Sequence, residues 1–149
     1  MTNFQQYVSM LAFSEDAKYV VLLVKNKPDF LAGKLCPVGG RIEIGESILY
    51  AVVREFFEET GVKTDPNDWR PFATVTSKVS TLYCNVMFSD KMRACLTMEE
   101  EPVFILSVAE VLAEASSSDS KYASDLIALI GLALQCRTGD KYFNLGCKD

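Results

Sequence analysis

The segment covering residues 47–61 constrains the fold of this chain more than any other part of its sequence. Its apolar residues recur at the spacing of one helix face: Leu49, Val52, Val53 and Phe56. Ser47, preceded by Glu46, can begin a helix, and Gly61 stands where a left-handed residue commonly ends one. The pattern predicts a helix over residues 47–60 whose apolar stripe is buried against the rest of the protein.

A second face of this predicted helix is acidic. Glu55, Glu58 and Glu59 lie at positions i, i+3 and i+4, so their carboxylates repel one another at neutral pH. The simplest interpretation is a solvated acidic face, which is common on exposed helices. The alternative is a cluster that holds a divalent cation, because oxygen ligands suit Mg²⁺ and Mn²⁺. The three glutamates alone leave both interpretations open.

The composition narrows the chemistry that the chain can perform. There is no histidine among the 149 residues, which excludes histidine-based metal ligation and the usual Ser/His and Cys/His nucleophile pairs. The five cysteines are scattered without the close pairing of a zinc site, and we expect free thiols. Any acid, base or metal chemistry must therefore rest mainly on carboxylates.

The charge and hydropathy patterns restrict the partners. The formal net charge is -5 and no long basic run appears, which argues against binding to nucleic acid or to an anionic membrane. No apolar run is long enough to span a membrane, and the first residues lack the pattern of a signal peptide. We therefore expect a soluble, cytoplasmic protein that binds a small molecule.

The rest of the sequence predicts short strands interleaved with helices. Alternating apolar and β-branched residues predict strands at residues 6–13, 19–24, 71–77, 81–88 and 102–106. A shorter strand is expected at residues 41–44, after a bend at Pro37, Gly39 and Gly40. Helices are expected at residues 108–115 and 122–134, separated by a polar loop at residues 116–120. This order predicts a single α/β or α+β domain over residues 1–149, with helices on the faces of a mixed sheet.

The acidic helix and the loop before it share a longer pattern, GRIEIGESILYAVVREFFEETGV, over residues 40–62. Its fixed positions are Gly40, Glu46, Arg54, Glu55, Phe56, Glu58, Glu59, Gly61 and Val62. This pattern, called the box below, resembles the signature of the Nudix hydrolase family, with every fixed position filled. The resemblance implies an α/β/α sandwich with a mixed central sheet. It also implies metal-dependent hydrolysis of a diphosphate bond in a nucleoside-diphosphate derivative.

The resemblance assigns a role to each charged residue of the box. Glu55, Glu58 and Glu59 would ligate Mg²⁺, for which Mn²⁺ could substitute, and Glu55 would also activate the attacking water. Arg54 would orient the glutamates, and the alternative for this arginine is an ordinary surface pair with Glu58. Glu46 would support Arg54 or reach a metal, and the alternative is that it merely begins the helix.

Further metal contacts are implied outside the helix. Gly39 would offer its carbonyl oxygen, because a residue without a side chain lets the backbone approach closely. Val38 departs from the family pattern, which commonly has proline directly before the paired glycines, and this difference changes the shape of the loop. A loop carboxylate often completes the metal cluster in the family, and the candidates are Glu99, Glu100 and Glu101. Glu101 directly precedes the strand predicted at residues 102–106, where the resemblance places this carboxylate, and a solvated acidic turn explains it equally well.

The residues that recognise the substrate are less clearly marked. Arg41 and Phe30 are the preferred substrate-binding candidates. Other basic side chains near the box could hold phosphates or could simply solvate the loop: Lys25, Lys27 and Lys34. Other aromatic side chains could stack on a base or could belong to the core: Trp69, Tyr83 and Phe88.

The leading functional hypothesis is hydrolysis of a nucleoside triphosphate, oxidised or otherwise noncanonical, to the monophosphate and diphosphate. Ser77 and Lys78 stand where the ADP-ribose and dinucleoside-polyphosphate subgroups of the family have proline or tyrosine, which favours a triphosphate. The alternative substrates are ADP-ribose, a nucleotide sugar or a dinucleoside polyphosphate. A catalytically silent, nucleotide-sensing module usually lacks box carboxylates that this chain has. An RNA-end hydrolase is disfavoured by the acidic charge balance, and the sequence leaves a homodimer open.

Overall fold

Eight strands form one mixed sheet in the computed structural model, which describes residues 4–115 and 121–146. The strands are β1 Gln5–Phe13, β2 Tyr19–Val24, β3 Leu35–Cys36, β4 Val38–Arg41, β5 Arg70–Thr76, β6 Ser80–Phe88, β7 Val103–Ser107 and β8 Phe143–Gly146. The helices are α1 Ile48–Thr60, α2 Val108–Ala115 and α3 Leu126–Gln135. The order of strands across the sheet is β3-β2-β1-β6-β5-β8, with β4 paired to β1 and β7 paired to β2.

Both parallel and antiparallel pairs occur in the sheet, as the sequence predicts. β1 runs parallel to β6 along its whole length and antiparallel to β4. β5 is antiparallel to β6 and parallel to β8. β2 is antiparallel to β3 and to β7, so that segments far apart in the sequence meet at this side of the sheet.

Helices cover both faces of the sheet and give the expected α/β/α layers. On one face, Leu11 and Phe13 of β1 pack with residues of α2 and α3 in one buried cluster. On the other face, Met10 and Ala12 of β1 pack with Val52 and other residues of α1 in a second cluster. Because successive side chains of a strand point to opposite faces, β1 serves both clusters and is buried on both sides.

The ends of α1 follow the signals in its sequence. The Ser47 hydroxyl accepts a hydrogen bond from the Tyr50 backbone N–H at 3.1 Å. Gly61 ends the helix with a φ of 78°, a left-handed conformation that glycine adopts without a steric penalty. The helix predicted over residues 47–60 is therefore confirmed to within one residue, because local capping chemistry determines both ends.

The buried face of α1 differs in part from the prediction. Val52 and Phe56 are fully buried as expected, and the Phe56 ring contacts Trp69 edge to face at a centroid distance of 5.0 Å. The prediction that Leu49 belongs to the buried face is wrong, because Leu49 is 36% exposed. Ala51, which is fully buried, faces the sheet instead.

Two further expectations about elements need correction, and two short strands, β3 and β8, were not expected. The strand near the paired glycines is β4 rather than residues 41–44, because Gly39 and Gly40 pair with β1 instead of bending away. The last helix begins at Leu126 rather than at residue 122, because Tyr122 bridges to Leu35 and the Ala123 N–H donates to the Leu35 carbonyl at 3.0 Å. The loop predicted at residues 116–120 lies outside the described residues.

The described thiols are free, as the scattered spacing indicates. Cys36, Cys84, Cys95 and Cys136 are buried without a disulfide, and Cys147 lies outside the described residues. Burial raises the pKa of the Cys84 thiol to about 12, which keeps it protonated and unreactive at neutral pH. Across residues 4–115 and 121–146, every helix is too short or too polar to cross a membrane.

The cap of α1 gives a first test of this fold. Replacing Ser47 by alanine removes the hydroxyl that accepts the Tyr50 N–H, and we expect a loss of about 1 kcal/mol in the free energy of unfolding. Urea unfolding measures the change. Ser124→Ala, at an exposed position before α3, is the control and should change the free energy of unfolding by less than about 0.5 kcal/mol. Equal losses in the two variants would contradict the capping role.

Candidate functional site

The guanidinium of Arg54 donates hydrogen bonds to several acidic residues of the site. Its Nε and Nη2 donate to the two carboxylate oxygens of Glu46 at 2.5 and 2.9 Å. Its Nη1 donates to Glu55 Oε1 at 2.8 Å and to Glu58 Oε2 at 3.1 Å. Its Nη2 also donates to the Arg41 carbonyl at 3.0 Å. Arg54 therefore joins the loop before α1, two glutamates of α1 and the end of β4.

This network bears on the alternatives left open for Arg54 and Glu46. The pair between Arg54 and Glu58 exists, but it is one of several contacts of a guanidinium whose side chain is 22% exposed. The hydrogen bond from Arg54 holds the pKa of Glu46 below its usual range. Glu46 also accepts from the Glu43 N–H at 2.9 Å, which ties the loop together. The structure thus places Glu46 as a support for Arg54, and its contact with a metal stays a prediction.

Gly40 makes room for the carboxylate of Glu55. A Cβ placed on Gly40 would overlap the carboxylate carbon and both oxygens of Glu55, so a larger residue here would displace this carboxylate from its position. A Cβ on Gly39 would lie 2.5 Å from the Val8 carbonyl oxygen of β1. The paired glycines therefore bring β4 against both β1 and α1. The sequence indicates a role for Gly39, whereas this role of Gly40 was not predicted. The glycine pair ahead of an acidic helix was the available signal for it.

Glu59 is a buried carboxylate with an unsatisfied oxygen. It is 8% exposed, and its Oε2 atom has no hydrogen-bond partner. Burial, with smaller contributions from the negative charges of Glu99, Glu101 and Glu55, raises the pKa of Glu59 to about 7 against the opposing effect of Lys25. Burial also raises the pKa of Glu55, against the opposing hydrogen bond from Arg54. Two carboxylates of α1 are thus held where ionisation is unfavourable.

The acidic loop before β7 lies beside these carboxylates. The Leu96 N–H donates to the Thr60 carbonyl at the end of α1 at 3.0 Å, which anchors the start of this loop. Glu101 Oε2 accepts from the Asn26 N–H at 2.7 Å, and Glu101 Oε1 lies 3.6 Å from Lys25 Nζ. Glu99 is exposed, and its charge raises the pKa of both Glu55 and Glu59.

The donor set fits a hard divalent cation. The unsatisfied Oε2 of Glu59, its acidic neighbours and the space that Gly40 leaves for Glu55 form an oxygen-rich environment of the kind that Mg²⁺ and Mn²⁺ occupy. In the part of the chain that the structure describes, no three carboxylates already converge as a preformed metal site. Arg54 holds Glu55 and Glu58 in this arrangement, so a cation competes with the guanidinium for both of them.

The substrate candidates divide between the site and the core. Arg41 is exposed at the end of β4, where its carbonyl accepts from Arg54. Phe30 is 74% exposed in the loop between β2 and β3, and its contact with substrate stays a prediction. Trp69 is 3% exposed against Phe56, and Phe88 stacks on Phe13 at a centroid distance of 5.3 Å. These last two aromatic side chains therefore belong to the core.

Comparison with known proteins places this geometry among related folds. The family model of the NUDIX domain matches residues 3–126. A MutT structure from a study of Aliivibrio salmonicida and Vibrio cholerae shares 20% identity at a TM-score of 0.69, covering 89% of this chain and 99% of that one. The NUDIX domain of Shewanella oneidensis NrtR, complexed with ADP ribose, shares 22% identity at a TM-score of 0.71, covering 91% of this chain and 89% of that one.

A NUDIX hydrolase from Nitrosomonas europaea is also similar. It shares 18% identity at a TM-score of 0.65, and the alignment covers 98% of this chain and 79% of that one. At such identities these structural likenesses concern the fold alone. They agree with the mixed sheet and the helix layers described above.

Glu59 should make the stability of the metal-free protein depend on pH. Its pKa is about 7 in the folded chain against an ordinary value of 4.5, so between these values the folded chain binds more protons than the unfolded chain. The free energy of unfolding therefore falls as pH rises through this window. The contribution of Glu59 to the free energy of unfolding is fully present below the ordinary pKa of 4.5 and is lost above the folded-state pKa of about 7. Glu59→Gln cannot ionise and should not show this loss.

Urea unfolding in EDTA at about pH 5 and about pH 8 measures the effect. The free energy of unfolding of Glu59→Gln, relative to the parent, should be higher at the upper pH than at the lower one. Glu110→Gln, at an exposed position of α2, controls for the loss of one negative charge. If the free energies of unfolding of Glu59→Gln and the parent differ by the same amount at both pH values, the raised pKa of Glu59 would be contradicted.

Proposed function

Because the chain belongs to the Nudix family of pyrophosphohydrolases, we propose that it hydrolyses a nucleoside triphosphate to the monophosphate and diphosphate with Mg²⁺ or Mn²⁺ as its cation. The observation that carries the proposal is the buried, unsatisfied Oε2 of Glu59 among the neighbouring carboxylates. Such an arrangement costs stability unless a cation binds to it. A solvated acidic face would not bury one of its members.

Each residue of the cluster has a task that suits its surroundings. Glu58, Glu59 and the Gly39 carbonyl would hold the cation, which when bound stabilises negative charge on phosphate oxygens. Glu55 would accept a proton from the attacking water, and its raised pKa suits a general base because the carboxylate binds a proton more tightly. Arg54 keeps Glu55 in place through its Nη1, and Lys25 provides positive charge near Glu59.

A nucleoside triphosphate is the favoured substrate, and other compounds that contain a diphosphate bond are included in the assay. Ser77 and Lys78, which stand in place of the proline or tyrosine of other subgroups, lie in the turn between β5 and β6. The similar NrtR domain was crystallised with ADP ribose, so ADP-ribose belongs in the panel. Canonical and oxidised nucleoside triphosphates, ADP-ribose, a nucleotide sugar and a dinucleoside tetraphosphate would each be incubated with Mg²⁺ and then with Mn²⁺. Chromatography of the products identifies the substrate and the bond that is cleaved.

Glu55 is the first residue to test. Glu55→Gln should lower kcat at least about a hundredfold, because glutamine neither accepts the proton nor ligates a cation as a carboxylate does. EDTA should abolish turnover of the parent. Mg²⁺ should raise the Tm of the parent through preferential binding to the folded state, and should raise that of Glu58→Gln less. Glu110→Gln is the control for turnover, and normal turnover of Glu55→Gln would move the base elsewhere.

Glu99 and Glu101 form a matched pair for the loop carboxylate. Glu101 already accepts the Asn26 N–H and faces Lys25, so we assign it the task of holding the loop. Glu99, which raises the pKa of both Glu55 and Glu59, is then the carboxylate that completes the cluster. Glu99→Gln should lower kcat by roughly tenfold or more with little change in Tm.

The same two variants also test the opposite assignment, in which Glu101 completes the cluster. Glu101→Gln should lower Tm more than Glu99→Gln does, because it weakens a contact between two loops, and it should lower kcat less. A larger loss of kcat in Glu101→Gln, with Tm unchanged, would return the catalytic assignment to Glu101. Glu100→Gln, in the same acidic loop, is the control for charge.

A further inference from the structure

The start of the acidic loop is seated on the end of α1 by two neighbouring contacts. The Leu96 N–H donates to the Thr60 carbonyl at 3.0 Å. Two positions later, the Met98 side chain lies over Gly61: a Cβ placed on this glycine would be 3.1 Å from the Met98 sulfur and 3.3 Å from its Cγ. The loop therefore contacts the two residues that directly follow Glu59.

The contact between Met98 and Gly61 is not part of the core. Met98 is 54% exposed and belongs to neither buried cluster, whereas Met10, Met87 and Met92 are buried. A half-exposed side chain gains only part of the free energy of burial. Because Gly61 has no side chain, the thioether reaches the backbone at the end of the helix directly. The contact thus joins two surface segments, one of which carries Glu59.

Hydrogen bonds hold the loop on either side of Glu99. Thr97 Oγ1 accepts from the Val103 N–H at 2.9 Å, which closes the loop at its base. Glu101 Oε2 accepts from the Asn26 N–H at 2.7 Å, which ties the second half of the loop to the segment after β2. Glu99 lies between these two anchors in the sequence, and its side chain is exposed.

The position of Glu99 depends on the residue directly before it. The negative charge of Glu99 raises the pKa of both Glu55 and Glu59, so its carboxylate lies near theirs. An exposed loop residue loses conformational entropy when it is confined to one position. Packing of Met98 against Gly61 restricts the backbone that carries Glu99.

We propose that Met98 is a positioning residue, which holds Glu99 beside the carboxylates of α1 by packing against Gly61. Met98 acts through Glu99 and not on the cation itself, because a thioether is a soft ligand and Mg²⁺ prefers oxygen. Small displacements of a catalytic or ligating group are costly, so a contact of modest energy has a large effect when it sets such a position.

This inference rests on the proposed function, in which Glu99 completes the cluster, and two variants of Met98 test it. Met98→Ala removes the contact and should lower kcat for the best triphosphate about threefold or more, with KM changed less than about twofold. Met98→Leu keeps a side chain of similar volume and should retain the kcat of the parent. Leu96→Ala is the matched control, because Leu96 anchors the loop through its backbone N–H, which alanine keeps.

A double variant shows whether Met98 acts through Glu99. In the Glu99→Gln background, Met98→Ala should lower kcat no further, because the carboxylate that Met98 positions is already gone. If the losses of the two single variants instead multiply in the double variant, Met98 acts independently of Glu99 and the inference is overturned.

Binding of Mn²⁺ alone separates this inference from the proposed activity. Electron paramagnetic resonance of free Mn²⁺ gives the Kd of the metal without any substrate. This Kd should rise about threefold or more in Met98→Ala and in Glu99→Gln, and should change less than about twofold in Met98→Leu and Leu96→Ala. If the parent hydrolyses no compound in the panel but shows this pattern, the proposed function fails and the positioning role of Met98 stands.

Two further outcomes would overturn the inference. The first is a folded Met98→Ala, checked by circular dichroism, with the Mn²⁺ Kd of the parent. A lower Tm in this variant with an unchanged Kd would make Met98 an ordinary anchor of the loop. The second is a rise in Kd that is equally large in Leu96→Ala, which would mean that any truncation in this segment disturbs the site.

Discussion

The hydrogen-bonding fork of Arg54 is the interaction on which the site depends. It holds three carboxylates, those of Glu46, Glu55 and Glu58, and it also binds the backbone at the end of β4. Without the positive charge of Arg54, the glutamates of α1 would repel one another and the loop before α1 would lose its attachment to the helix. A lysine could not replace it, because only the planar guanidinium donates in several fixed directions at once.

The site is assembled at a cost to the stability of the metal-free protein. Glu59 is buried with an unsatisfied oxygen, and burial raises the pKa of Glu55 as well. The same helix offsets part of this cost through its Ser47 cap and through Phe56, which is fully buried against Trp69. A binding site that is strained until its ligand arrives is expected where function competes with stability.

The sheet brings the loop that follows β2 and the acidic loop that precedes β7 together beside α1. Because β2 pairs with β7, the loop that follows β2 meets the loop that precedes β7, and Lys25 and the Asn26 N–H reach Glu101. The acidic loop is also tied to the end of α1 through the Thr60 carbonyl. These contacts hold Glu101, the loop carboxylate that the resemblance favours, whereas Glu99 of the same loop is exposed.

The sequence by itself determined the ends of α1, the clustering of its glutamates and the mixed α/β class, because capping residues and helical or strand periodicity act between near neighbours. Tertiary structure decided which face of α1 is buried, which left Leu49 exposed, and where Gly40 approaches Glu55. It also delayed the start of α3, since the backbone at Tyr122 pairs with Leu35, and it added β8 beside β5. These features depend on contacts between segments far apart in the chain, and local periodicity does not specify which distant partner will satisfy a backbone hydrogen bond or crowd a side chain.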